Sequence, residues 1–211
     1  DWNVAQTVTV TGVDDAVQDG DAAYTILTGA AVSADLNYNG IDPADVSVTN
    51  TDNDVAGITI SPTSGLLTTE TGGTDTFSVV LNSQPTADVT ISLSSSDTTE
   101  GTVAPTSLTF TSGNWNVPQT VTVTGVDDAV QDGDVAYTIL TGAAVSADAN
   151  YSGVNAADVS VTNTDNDAAG IIVNPTSGLV TTEAGGTDTF TVVLTSQPTA
   201  AVTIGLTSSN E

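Results

Sequence analysis

Hydrophobic and polar residues alternate along short segments of this chain with a period of two, as in half-buried β-strands. The clearest examples are residues 74–81, 87–93, 107–110 and 119–124. Glycine and proline separate these segments, and no stretch keeps a helical period. The pattern therefore predicts an all-β protein built as an antiparallel β-sandwich of the immunoglobulin-like kind.

The whole pattern repeats with a period of 113 residues. When residues 1–98 are aligned with residues 114–211, 77 of the 98 positions are identical. The Asp-Asn-Asp sequence at 52–54, for example, returns at 165–167. Copies this similar predict a tandem array in which each period is one sandwich.

The repeat also predicts the domain boundaries, if each domain begins after an Asp-Asn-Asp loop. Residues 1–54 are then the C-terminal half of one sandwich, and residues 55–167 are a complete sandwich. Residues 168–211 are the N-terminal half of the next sandwich. Because a half sandwich has uncovered strand faces, we expect each half to join either a longer tandem chain or the half of a second copy.

Charge adds a second constraint. The 211 residues contain 26 acidic side chains and no Lys, Arg, His, Cys or Met, so the formal net charge is −26. Two carboxylates 4 Å apart repel by roughly 1 kcal/mol even in water. A fold that gathers these groups must bind cations, and calcium is the expected one because it prefers oxygen ligands.

The missing residue types exclude most enzyme mechanisms. Without His, Cys or Lys the chain lacks the usual general bases, thiolate nucleophiles and Schiff-base amines. The sequence predicts that the protein is not an enzyme, and a carboxylate-pair glycosidase is the one class left open. No basic group is available to bind nucleic acid, and no apolar run reaches the ~20 residues of a membrane span.

The acidic residues cluster in a few loops. One group occupies residues 127–134 after a predicted strand, and another occupies residues 165–167 after the last strand of the period. If the intervening strands alternate in direction, both loops meet at one end of the sandwich, where Glu70 and Asp97 could join them. The pattern predicts a calcium site there, and a solvated acidic surface is the alternative.

In these loops the sequence resembles the Calx-β domain, and more closely the Calx-β-like repeats of large bacterial surface proteins. The resemblance covers residues 55–167 and the partial copies on either side. It implies an extracellular or cell-surface location and calcium at one tip of a seven-stranded sandwich. The family's loops usually carry glutamates after the Asp pair, where this chain has aspartates.

The resemblance also implies which residues bind calcium. In the complete repeat they are Glu70, Asp97, Asp127, Asp128, Asp132, Asp134, Asp165 and Asp167. In the partial copies they are Asp14, Asp15, Asp19, Asp21, Asp52, Asp54, Glu183 and Asn210.

A second candidate calcium loop occurs in both copies. Oxygen side chains stand at positions one, three and five, and glycine stands at position six, as in calcium-wrapping loops. They are Asp35, Asn37 and Asn39 in the first copy and Asp148, Asn150 and Ser152 in the second. The bidentate glutamate that closes such loops is missing, so an Asx-rich turn explains the pattern equally well.

Together these features predict a non-catalytic structural protein, a calcium-stabilised stalk, adhesin or filament whose copies join head to tail. A calcium-responsive binding module and a carbohydrate-binding domain are the alternatives. The sequon at 150–152 and the many serine and threonine side chains offer attachment points for surface glycans.

Overall fold

The computed structural model describes residues 2–210, and these residues contain fourteen β-strands and no helix. The strands are β1 (Ala22–Ile26), β2 (Val46–Asn50), β3 (Ile58–Ser61), β4 (Leu66–Thr69), β5 (Thr74–Leu81), β6 (Val89–Ser95), β7 (Gly101–Ala104), β8 (Ser107–Phe110), β9 (Gln119–Gly125), β10 (Val135–Thr141), β11 (Val145–Ser146), β12 (Val159–Thr164), β13 (Ile171–Asn174) and β14 (Thr191–Leu194).

Strands β3 to β12 form two sheets. One sheet has the order β3-β5-β9-β7, and the other has the order β11-β6-β10-β12-β4, with β8 paired to β6. The pairs are antiparallel apart from β12 with β4, which run parallel with Val161 opposite Leu66. The prediction of an all-β sandwich is confirmed.

The core lies between these two sheets, and period-two alternation determines which residues enter it. Along β5, for instance, Phe77, Val79 and Leu81 are buried while the residues between them remain partly exposed. The buried hydrophobic side chains are Leu66, Phe77, Val79, Leu81, Val89, Ile91, Leu93, Val103, Leu108, Phe110, Val121, Val123, Tyr137, Ile139, Ala144, Tyr151, Val159 and Val161. We call this unit the central sandwich.

Each flanking segment repeats one strand pairing of the central sandwich. Strands β1 and β2 pair with the register of β10 and β12, shifted by 113 residues. Strands β13 and β14 likewise repeat the pairing of β3 with β5. The flanks leave exposed many apolar side chains whose counterparts are buried in the central sandwich. The domain boundaries at 54 and 167 stay a prediction.

No helix within residues 2–210 is both long enough and apolar enough to cross a membrane.

Candidate metal centre

The acidic side chains of the central sandwich gather at one end, which we call the acidic tip. Because β4 and β12 run parallel, both end there, and the residues that follow them are brought together. The loop between β9 and β10 begins and ends at the same place, and β7 starts beside it. The acids of the tip are Glu70, Glu100, Asp127, Asp128, Asp132, Asp134, Asp165 and Asp167.

Two groups of three carboxylates in the acidic tip have spacings suited to a metal ion. Oxygens of Glu70, Asp165 and Asp167 all lie within 4.8 Å of one another. Oxygens of Glu100, Asp128 and Asp132 form the second such group. Calcium–oxygen bonds are about 2.3–2.6 Å long, so oxygens up to about 5 Å apart can share one ion.

Backbone donors hold the two acidic loops against each other. The Asp165 carboxylate accepts hydrogen bonds from Asp167 N and from Gly133 N, each at 2.7 Å. Those bonds lower the pKa of Asp165. In the opposite direction, Asp165 N donates to Asp134 Oδ1 at 3.2 Å. Gly133 has a φ of 83°, a conformation that favours glycine and lets its N–H face the partner loop.

Two glutamates lie beneath these loops. Glu70 is 3% exposed and Glu100 is 7% exposed. Asn166 N donates a hydrogen bond to Glu70 Oε2 at 3.0 Å, and this bond by itself lowers the pKa of Glu70. Burial and repulsion from the nearby Asp165 and Asp128 have the larger combined effect, so the pKa of Glu70 is raised overall. Burial also raises the pKa of Glu100. Both carboxylates therefore carry their negative charge at a cost in the metal-free protein.

One oxygen of the acidic tip has no partner. Asp167 Oδ2 is buried and forms no hydrogen bond within the described part of the chain. Burial, followed by repulsion from Asp165 and Asp127, raises the pKa of Asp167. The chain has no Lys or Arg to neutralise this oxygen. Because every ligand atom available is oxygen, the residues fit calcium and do not fit the nitrogen and sulfur sites typical of zinc.

The structure places the predicted ligands of the central sandwich in three settings. Five of them belong to the two carboxylate groups. They are Glu70, Asp128, Asp132, Asp165 and Asp167. Asp127 instead accepts a hydrogen bond from Asn166 Nδ2 at 3.0 Å, and Asp134 accepts one from Asp165 N. Asp97 lies in a neighbouring turn, where its Oδ1 accepts from Thr99 N at 3.0 Å.

Glu100 is a candidate ligand that the sequence analysis did not select. It lies three residues after Asp97 and directly before β7. The sequence signal that could have identified it is an acidic residue at the start of a predicted strand. Asn163 Nδ2 lies 3.4 Å from Glu100 Oε2 and 3.1 Å from the carbonyl oxygen of Val126. This bridge ties Glu100 to the strand that leads into Asp165. Calcium binding by each of these residues stays a prediction.

The first flank repeats the geometry of the acidic loops. Gly20 N donates to Asp52 Oδ2 at 2.7 Å, and Asp52 N donates to Asp21 Oδ1 at 3.0 Å. A cavity of about 250 Å³ lies between the loops. The acids that line it are Asp14, Asp15, Asp19, Asp52 and Asp54. Residues 1–54 contain no counterpart of the two buried glutamates, and Glu183 and Asn210 lie exposed on the other flank.

The second candidate loop uses its oxygens for local hydrogen bonds. Asp148 is buried, its Oδ1 accepts from Asn150 N at 2.9 Å, and its Oδ2 accepts from Thr86 N at 2.8 Å. In the first copy, Asp35 Oδ1 accepts from Asn37 N at 2.9 Å, and Asn39 Oδ1 accepts from Ser33 N at 3.1 Å. The bonds from Asn150 N to Asp148 and from Asn37 N to Asp35 are those of an Asx turn. Calcium binding by Asp35, Asn37, Asn39, Asp148, Asn150 and Ser152 stays a prediction.

Replacing Glu70 by Gln is expected to have opposite effects with and without calcium. In chelator the variant should melt above the parent, because it removes a buried charge that the fold disfavours. In calcium it should melt below the parent, because one ligand charge is lost. Thermal melting in both conditions checks this.

Glu183 provides the matched control for this experiment. It is the counterpart of Glu70 at a spacing of 113 residues, but it lies exposed in the second flank. At concentrations where the chain is monomeric, Glu183→Gln should leave both melting temperatures within about 1 °C of the parent, as exposed substitutions usually do. A Glu70→Gln variant that behaves like Glu183→Gln in both conditions would contradict the site.

Comparison with known proteins gives fold-level likenesses only. No family model matches the chain, and no curated protein matches it. Among solved structures, the periplasmic chaperone SfaE matches with a TM-score of 0.41 and 11% identity over 52% of this chain and 58% of that one. The apo form of the Calx CBD1 domain matches with a TM-score of 0.41 and 16% identity over 55% and 99%. Domains 4 and 5 of the S-layer protein SbsC match with a TM-score of 0.34 and 18% identity over 70% and 72%.

Proposed function

We propose that this chain is a non-catalytic structural protein of an extracellular stalk or filament, in which calcium at the acidic tip stabilises each sandwich. The observation that carries the proposal is the buried Asp167 Oδ2 without a partner, next to the buried carboxylate of Glu70. A chain with no basic side chain cannot neutralise these groups internally. An added cation can, because it interacts with all of them at once.

The arrangement of the ligands favours a structural role for calcium. One carboxylate group joins residues that follow β4 and β12, and the other joins Glu100, before β7, with residues of the loop between β9 and β10. An ion in the first group therefore ties two neighbouring strands of one sheet, and an ion in the second group ties β7 of the other sheet to the loop that connects the two sheets. Disulfides crosslink many exported β-sandwiches, but this chain has no cysteine. A bound ion would supply the crosslink instead.

The same chemistry supports an extracellular location. Calcium sites of extracellular modules bind with dissociation constants of about 10⁻⁴–10⁻³ M and need abundant calcium to fill. The absence of Lys, Arg, His and Cys argues against catalysis and nucleic-acid binding. A carbohydrate platform is less favoured, because aromatic residues make up only 4% of the chain and Trp115 packs against the core.

Calcium titration by calorimetry tests the proposal. We expect the parent chain to bind calcium and the Asp128→Asn variant to bind it at least about tenfold more weakly at the central tip, since each tenfold change corresponds to about 1.4 kcal/mol. Asp88→Asn is the matched control, because it makes the same charge change at an exposed position outside both carboxylate groups. The weakest extracellular calcium sites have dissociation constants of about 10⁻³ M. A parent chain that shows no binding heat in calcium up to about ten times that concentration would refute the proposal.

A further inference from the structure

A tyrosine closes one end of the central sandwich. Tyr151 is 1% exposed, and its hydroxyl donates to the carbonyl oxygen of Ser83 at 2.6 Å and accepts from Ser83 N at 3.0 Å. Asp148 of the same loop accepts from Thr86 N at 2.8 Å. We call residues 148–153 the central tyrosine loop. It seals the turn at residues 83–86.

The central tyrosine loop also contacts the preceding copy. Asn150 Nδ2 donates to the carbonyl oxygen of Gln18, in the acidic loop of the first flank, at 2.7 Å. Gln18 Oε1 in turn accepts from Ala56 N at 2.6 Å. Consecutive copies are therefore held together where the tyrosine loop of one meets the acidic loop of the other.

The second flank has the receiving half of this arrangement without its occupant. The turn at residues 196–199 is the counterpart of the turn at 83–86, and beside it lies a cavity of about 570 Å³ within the described part of the chain. Gln131, the counterpart of Gln18, lines the cavity and accepts from Ala169 N at 2.6 Å. Residues 168–211 contain no tyrosine that could fill it.

The first flank has the complementary half. Its loop at residues 35–40 is already folded like the central tyrosine loop, with Asn39 N bonded to the Asp35 carbonyl oxygen at 3.0 Å, as Ser152 N is to that of Asp148 at 2.9 Å. Tyr38 stands where Tyr151 does, yet it is 61% exposed. The residue types that form the central contacts recur at the other positions: Asp, Asn and Tyr in the first flank, Ser and Thr in the second flank, and Gln at position 131 of the central sandwich.

Uncovered apolar faces accompany both halves. Phe190 is 43% exposed, whereas its counterpart Phe77 is 2% exposed. Val8 and Val46 of the first flank are also exposed, although their counterparts belong to the core. Contiguous apolar faces of this kind mark interaction surfaces. The first flank repeats the pair of β10 with β12 and the second repeats the pair of β3 with β5, which belong to opposite sheets of the central sandwich, so the two faces are complementary.

We propose that residues 2–54 of one chain and residues 168–210 of a second copy join as one β-sandwich, with Tyr38 in the 570 Å³ cavity beside Ser196. The contact is head to tail, so it does not close on itself and propagates as a filament. This junction rests on the proposed structural function, and it names the partner in that function: a second copy of the chain.

The joined sandwich differs from the central one in two ways. The flanks together lack a counterpart of residues 99–113, which carry β7, β8 and Glu100. Among the described strands, β7 pairs only with β9 and β8 only with β6, so the missing strands are edge strands. The junction therefore keeps the strand pairs in the interior of each sheet, and it brings Glu183 to Asp52 and Asp54. Without the two edge strands it is less stable than the central sandwich. Assembly should depend on protein concentration.

Complementation between two variants tests the proposal. Tyr38→Ser removes the inserted side chain, and Ser196→Leu blocks the cavity; neither position belongs to the central core. The parent should form oligomers that grow with concentration, and each variant alone should sediment as a 21.0 kDa monomer. An equal mixture should give a heterodimer of twice that mass, because one intact Tyr38 meets one open cavity.

Leu36→Ala is the matched control. Its counterpart is Ala149, so the central tyrosine loop already forms with alanine at this place, and the variant should assemble like the parent. A parent that stays monomeric at about 1 mM would overturn the proposal. So would variants that assemble unchanged, or a mixture that gives no heterodimer.

The assembly result is separable from the calcium result. Assembly with melting temperatures that do not respond to calcium would refute the proposed calcium site and support this junction. Calcium-dependent melting of a chain that remains monomeric would support the calcium site and refute the junction.

Discussion

Excess chelator is expected to lower the melting temperature of the central sandwich by about 10–20 °C for each calcium site that it empties. A ligand present at about 100 times its dissociation constant contributes roughly 2.7 kcal/mol to the free energy of unfolding. For a domain of about 100 residues, each kcal/mol shifts the melting temperature by about 4–8 °C. Calorimetric melts in calcium and in chelator measure the difference.

Magnesium is the control ion for this experiment. It has the same charge as calcium, but it requires oxygens at about 2.0–2.1 Å in octahedral geometry and keeps several of its waters. It should therefore restore only a small part of the stability lost in chelator. An equal recovery with magnesium would point to general charge screening, and a chelator-insensitive melting temperature would remove the acidic tip as a calcium site.

Replacing Phe77 by Ala is expected to lower the free energy of unfolding by about 3–5 kcal/mol, the usual cost of removing a buried phenylalanine. Phe77 lies in β5 within the core between the two sheets, where it is buried. Urea unfolding of the purified variant measures this loss.

Phe190→Ala is the matched control, because Phe190 has the same sequence surroundings in the next copy but is exposed. At concentrations where the chain is monomeric, it should change the free energy of unfolding by no more than about 0.5 kcal/mol. Equal losses from the two substitutions would contradict the finding that the described residues have one packed core, within the central sandwich.

Much of the fold follows from the sequence alone. Period-two alternation identifies the strands and the face that each one buries, as at Phe77, Val79 and Leu81 in β5. The 113-residue repeat predicts that the same pairing registers recur, and the pairs of β1 with β2 and of β10 with β12 do recur. Both signals are local, because a side chain's face depends only on its place along its own strand.

Only the tertiary structure decided which strands pair across long distances in the chain. The parallel pairing of β4 with β12 brings Glu70 to Asp165 and Asp167, which lie about 95 residues away along the chain. Alternation states which face of a strand is buried but not which neighbour it pairs with. For the same reason the sequence did not select Glu100 over Asp97, which lies only three residues away. The start of β7 buries the Glu100 carboxylate under the acidic tip, whereas the Asp97 carboxylate stays in a turn.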